Sequence, residues 1–134
     1  METRTRLAFR LLVAVQALHS AEEFRFALWE SLAPARAVSL ALSLDPATGF
    51  LIANLALVLF GLWCWAVPLR RDTRAARPIA WAWAVVEMAH GLCHCALAVL
   101  AGGYFPGLAT APLLIAAAAW LGWRLGRASR LRAG

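Results

Sequence analysis

Charge is scarce in this 134-residue chain: 15% of its residues are charged, while 63% are hydrophobic. A soluble domain averages about 25% charged and about 45–50% apolar residues. That shortage argues against an ordinary soluble fold, a disordered tail and a coiled coil. Cysteine is also sparse. Cys64, Cys93 and Cys95 make an odd number without paired spacing, which excludes a disulfide framework. Lysine is absent, so all 13 basic residues are arginines. No internal repeat or low-complexity segment breaks the chain, and its length fits one domain over residues 1–134.

What is abundant is apolar sequence in long runs. A bilayer core needs about 20 mostly apolar residues per helix. Four stretches qualify, at about 7–28, 47–69, 78–101 and 108–125. The expected fold is therefore all-α, an integral membrane four-helix bundle forming a single transmembrane domain. Between spans one and two, Pro34 and Pro46 bracket a short apolar run, read as a short interfacial helix or re-entrant piece. Gly102-Gly103-Tyr104-Phe105-Pro106-Gly107 is turn chemistry. Thr110 followed by Pro112 reads as the start of the fourth helix.

Arginine placement orients the bundle. Arg4, Arg6 and Arg10 open the chain, Arg70, Arg71, Arg74 and Arg77 fill the second loop, and Arg124, Arg127, Arg130 and Arg132 close it. Only Arg25 and Arg36 fall on the other side. This positive-inside pattern puts both termini in the cytoplasm, in a multi-pass protein. The tryptophans agree: Trp63, Trp65, Trp81, Trp83, Trp120 and Trp123 cluster near the cytoplasmic interface, with Trp29 near the other. The net charge of +6 is thus topology, and no nucleic-acid partner is expected, because no basic face with interleaved aromatics lies outside the spans. Arg10 and His19 argue against a cleavable signal peptide at the N-terminus.

Against this background seven polar residues stand out: Gln16, His19, Glu22 and Glu23 in span one, and Glu87, His90 and His94 in span three. Ionisable groups at membrane depth cost several kcal/mol each unless paired, coordinated or hydrated. At about 100° per residue, His19, Glu22 and Glu23 share one arc of about 100°. Glu87, His90 and His94 are spaced i, i+3, i+7 and define a single face. Both groups fall in the outer half of the bilayer, and Asn54 of span two lies at similar depth. Mixed His/Glu coordination suits zinc, iron or manganese, and Glu87-x-x-His90 has the spacing of helical-bundle carboxylate sites. The zinc-protease pattern His-Glu-x-x-His is absent.

His19-Ser20-Ala21-Glu22-Glu23 resembles the signature of the HXXEE-domain family, small multi-span proteins of undefined biochemical function. A later histidine, about ten residues before a Tyr-x-Pro-Gly turn, belongs to the same picture, and His94 with Tyr104-Phe105-Pro106-Gly107 matches it. The family's asparagine four residues before that histidine is His90 here. The resemblance runs from residue 19 to about residue 110 and implies an enzyme-like site without naming a reaction.

The leading expectation is an intramembrane metal-dependent enzyme, a hydrolase or oxidoreductase, acting on a lipophilic small molecule that arrives from the bilayer. His19, Glu22, Glu23, Glu87, His90 and His94 are its candidate ligands for one or two divalent ions. Glu22 and Glu23 are its candidate catalytic carboxylates, and Asn54 and Tyr104 its candidate substrate or supporting contacts. The alternatives are a proton or divalent-cation transporter using the same cluster, a metal-free His/Glu acid–base isomerase, and a membrane scaffold with a metal staple. Blander roles fit several residues: Asn54 and Gln16 as interhelical glue, the cysteines as packing residues, Glu30 as a solvated position, and Gly122-x-x-x-Gly126 as a helix contact. A homo-oligomer is compatible with all of these.

Overall fold

The computed structural model describes residues 1–133, with side chains through residue 127; Arg130 and Arg132, counted in the charge pattern, lie outside the described side chains. The chain is helical, with no strand among the described residues. Helix α1 runs Thr3–Arg25, a stretch without glycine or proline, and ends where Ala27 turns left-handed at φ 50°. Two short helices follow, α2 (Leu28–Ser31) and α3 (Ala33–Leu42). Helix α4 (Pro46–Cys64) is opened by the Asp45 carboxylate, which accepts from Thr48 N at 2.9 Å, with Pro46 in the first position, where its missing N–H costs nothing. Its last turn, Trp65–Leu69, widens to π geometry around Pro68, which has no N–H to keep the regular ladder. Helix α5 (Ala76–Ala101) stops at left-handed Gly102, where Gly103 N reaches back to Ala98 O. Helix α6 occupies Ala111–Ala133.

The expected four long segments are present as α1, α4 with its π turn, α5 and α6. Their ends differ from the hydropathy reading. The first begins at Thr3 and stops at Arg25, and the fourth begins at Ala111 rather than 108 and runs to Ala133. The region read as one short helix contains two. Two helices, Pro46–Leu69 and Ala76–Ala101, are long and apolar enough to cross a membrane.

Helix α6 packs against both α1 and α5, and α4 packs against α1 and α3. On α6, Leu114, Ala118, Leu121 and Leu125 form the buried stripe, spaced i, i+4, i+7, i+11 as one helical face requires. They meet Phe9, Leu12 and Val13 of α1 and Trp83 of α5, whose ring lies edge-on to Phe9 at 5.7 Å. Trp83 is therefore core rather than interface. A second apolar cluster, containing Leu28, Trp29, Phe50, Ala98 and Phe105, closes the opposite end. Between these two clusters lies a buried polar layer: Gln16, His19, Ser20, Glu23, Glu87 and His94.

Close helix approach occurs at Gly61 and Gly91, where an added Cβ would meet Trp83 and Ile115 at 2.9 and 2.7 Å. The Gly122-x-x-x-Gly126 pair makes no such contact, since nothing lies within 4 Å of a Cβ at Gly126.

Candidate metal centre

Helix α1 carries His19 and Glu23 one turn apart, and α5 carries His90 and His94 with the same i, i+4 spacing, so both pairs project onto one level. One ligand atom from each of the four lies within 4.8 Å of all the others. The Glu23 Oε1 oxygen is their common neighbour. It stands 3.5 Å from His19 Nε2, 3.3 Å from His90 Nε2 and 3.0 Å from His94 Nε2. His90 Nε2 and His94 Nε2 are 3.1 Å apart.

Each imidazole is held from behind through its other nitrogen. His94 Nδ1 lies 2.6 Å from the Pro106 carbonyl oxygen; a carbonyl only accepts, so Nδ1 carries the proton. His90 Nδ1 faces a Glu87 carboxylate oxygen at 3.4 Å and donates to it for the same reason. His19 Nδ1 is 2.7 Å from Thr110 Oγ1. That hydroxyl spends its own proton on Glu22 Oε2 at 2.5 Å, so it accepts from His19. In the neutral rings all three Nε2 atoms are then bare lone pairs, aimed at one another and at a carboxylate oxygen.

Four acceptors converging without a hydrogen between them repel one another, and burial makes this worse. His19 Nε2 is fully buried and has no hydrogen-bond partner. A cation at the centre, either a metal ion or a single added proton, would resolve the conflict. Four ligands tetrahedrally arranged about an ion at about 2.0–2.1 Å are separated by about 3.3–3.4 Å; four of the six pairs in the group stand at 3.0–3.5 Å, around that edge, and all lie within 4.8 Å. The backing of each ligand by an acceptor on its far nitrogen is the usual outer shell of a metal-bound imidazole. The group can hold a metal ion; three imidazole nitrogens and one carboxylate oxygen suit zinc, iron or manganese.

The other expected site residues lie around this group. Glu22 is outside it, because its carboxylate turns to the start of α6. There it accepts from Ala109 N at 2.9 Å, Thr110 N at 2.8 Å, Thr110 Oγ1 at 2.5 Å and the Tyr104 hydroxyl at 2.6 Å. A carboxylate suits that end of a helix, where free N–H groups leave partial positive charge. Tyr104 thus joins the assembly through Glu22. Partial desolvation of the half-exposed ring, followed by the hydrogen bond to the Glu22 carboxylate, pushes its phenol up to about 12. Glu87 supports His90 from behind. Asn54 donates one amide hydrogen to the Phe50 carbonyl of its own helix at 3.0 Å. Gln16 donates to Ser20 Oγ at 3.1 Å.

Two participants are absent from the expected set. The hydroxyl of Thr110 and the carbonyl of Pro106 orient two of the three imidazoles. Thr110 was legible only as a helix start, and a backbone carbonyl has no side-chain signal. The group is not sealed. A cleft of about 420 Å³ reaches Glu23, His90 and His94, and its walls include Val38 of α3, Phe50 and Leu57 of α4, and Leu97 of α5. Asn54, Gln16 and the exposed Cys93 also line it.

Residues 10–121 match the family described as "Protein of unknown function with HXXEE motif", and the chain belongs to that family. No curated protein and no solved structure matches it.

Proposed function

We propose that this HXXEE-family chain is an intramembrane metal-dependent enzyme acting on a lipophilic substrate. The observation that carries this reading is the convergence of three back-braced imidazole nitrogens on Glu23 Oε1, in a group of which Glu23, His90 and His94 line an open, largely apolar cleft. His19, His90, His94 and Glu23 would hold one divalent ion. When bound, it would supply Lewis acidity and activate water or a substrate oxygen. The chain's own residues do the rest: Pro106, Glu87 and Thr110 fix the three rings, and the apolar cleft walls receive the hydrocarbon part of the substrate. A cleft of this size lies within the range of small-molecule sites, about 300–1,000 Å³.

Several features support a membrane setting. Helices α4 and α5 meet the length and hydropathy needed to cross. Helices α1 and α6 are each 23 residues long, about 35 Å at 1.5 Å per residue, a length that would let them add two further spans to the proposed bundle. Large apolar side chains point outward along the molecule, with Val99 and Leu100 80% and 83% exposed and Leu59 63%. Such exposed apolar side chains fit lipid contact. Arginines gather at one end, where Arg10 and Arg70 flank the Trp65 ring at 5.0 and 5.4 Å. The positive-inside rule puts that end, with both termini, in the cytoplasm.

Transport through the same residues is the second reading, and the core weighs against it. On the arginine-rich side of the cluster, beyond Gln16, the packed neighbours among the described residues are Leu12, Val13, Trp83, Ala84, Leu114 and Ala118, an apolar plug. A metal-free acid–base site is the third reading. In it a single proton on His90 takes the place of the ion, because His90 Nε2 reaches Glu23 at 3.3 Å.

The test is metal analysis of detergent-purified protein made with zinc, iron and manganese supplied. The expected result is one ion per chain in the wild type and little in His19→Ala or His94→Ala. No stoichiometric metal in the wild type would sink the metal reading. Lipid extracts incubated with the loaded protein should then show a chemical change that is missing with His94→Ala. Unchanged lipids, combined with a proteoliposome ion flux lost in Glu23→Gln, would favour transport.

A further inference from the structure

The adjacent glutamates of the His19-Ser20-Ala21-Glu22-Glu23 motif point to different places, and the chain of contacts from Glu22 returns to the cluster. Glu22 Oε2 receives the Thr110 hydroxyl proton at 2.5 Å, and Thr110 Oγ1 in turn faces His19 Nδ1 at 2.7 Å. A hydroxyl has one proton to donate. While Glu22 takes it, Thr110 offers only a lone pair to His19, and the histidine must keep its proton on Nδ1. Its Nε2, fully buried and without a hydrogen-bond partner, is thereby left bare toward Glu23, His90 and His94.

From this we infer that Glu22 is a positioning residue: acting through Thr110, it locks His19 in the Nδ1-protonated tautomer that presents Nε2 to the centre. Glu23 faces the centre directly, so the motif's two carboxylates divide the work into one ligand and one orienter. The inference rests on the proposed metal reading for its consequence, but the tautomer itself belongs to the metal-free chain and is measurable there. Glu22 is well placed for this because four donors anchor it: Ala109 N, Thr110 N, Thr110 Oγ1 and the Tyr104 hydroxyl. The carboxylate therefore cannot turn away and release the threonine hydroxyl without stripping the start of α6 of its acceptor.

The experiment uses the full chain in detergent, with two readouts. Nitrogen-15 histidine NMR of the metal-free protein reports which His19 nitrogen is protonated, and cobalt(II) titration followed by its visible spectrum reports affinity and coordination. Thr110→Val removes the hydroxyl but leaves the Glu22 contacts to Ala109 N, Thr110 N and Tyr104 intact. It should move the His19 proton to Nε2, where Glu23 accepts it, and weaken cobalt binding about 10–100-fold. Thr110→Ser should restore both. Glu22→Ala frees the Thr110 hydroxyl to donate to Nδ1 and should give the same tautomer change, with the four candidate ligands untouched. A His19 proton that stays on Nδ1 in both Thr110→Val and Glu22→Ala overturns the inference, whatever the metal result. A tautomer that shifts as expected in a wild-type protein that binds no cobalt upholds the positioning role and defeats the metal reading instead.

Discussion

Gly107 lies directly beneath the His94 imidazole. A side-chain carbon at Gly107 would stand 2.5 Å from His94 Nδ1 and 2.8 Å from His19 Cε1, so the turn between α5 and α6 touches both rings at once. Its φ of +93° is a second reason for glycine. Gly107→Ala should cost about 1–3 kcal/mol in backbone strain alone and should also push the two imidazoles off their common point. Metal affinity is expected to fall at least tenfold, with a lowered unfolding midpoint. Metal titration beside a thermal melt checks this, and wild-type affinity in the variant would show that the turn does not seat the rings.

The ionisable residues of the site were legible because they have no other business in apolar sequence: His19, Glu23, His90 and His94 stand out by chemistry, and their i, i+4 spacing puts each pair on one face. The choice between Glu22 and Glu23 was not legible. They are neighbours about 100° apart on α1, and which one turns inward depends on where α6 begins, 88 residues beyond Glu22 at Thr110. Long-range placement of that kind leaves no local pattern. The same holds for the carbonyl of Pro106. Asn54 lines the cleft from α4 while donating one amide hydrogen to Phe50 O of its own helix. In the fold, the long helices follow from the apolar runs, whereas their ends do not. Hydropathy carries on past Arg25, while Ala27 at φ 50° ends α1.

Glu87 tests whether the outer contacts matter as much as the ligands. It is buried and faces His90 Nδ1 at 3.4 Å, so Glu87→Leu should leave all four ligands in place and still weaken metal binding about 10–100-fold. Glu87→Gln, which keeps a carbonyl oxygen as acceptor, should lose less. His90→Ala should lose more than either. Equal affinity in wild type and Glu87→Leu would show that His90 needs no support from behind.

The membrane reading makes a prediction about Leu44, which stands in the α3–α4 connection and is 98% exposed. If the chain makes four spans with its arginine-rich ends inside, Leu44 would lie on the outer side and both termini in the cytoplasm. The protein should stay with membranes through an alkaline wash. A reporter fused to the C-terminus should report a cytoplasmic location, and a tag inserted after Leu44 the opposite one. Release by the wash would remove the bilayer from the proposal, and both reporters on one side would refute the four-span arrangement.

Tyr104 is the only tyrosine in the chain, so its phenolate absorbance can be followed without overlap from a second one. Its hydroxyl donates to Glu22 Oε1 at 2.6 Å, and partial desolvation followed by that bond raises its pKa from about 10 to about 12. Because the folded value is the higher one, the protonated phenol stabilises the native state throughout the range below pH 10. That contribution fades as pH climbs from about 10 to about 12. An absorbance titration should therefore place the phenolate rise near pH 12 in the wild type and lower in Glu22→Gln, where the negative charge is gone. Tryptophan fluorescence over the same range would show that the chain is still folded when Tyr104 titrates. A wild-type rise near pH 10 in folded protein would mean that Tyr104 does not hold Glu22. The anchor that keeps this carboxylate on Thr110 would then be the backbone of α6 alone.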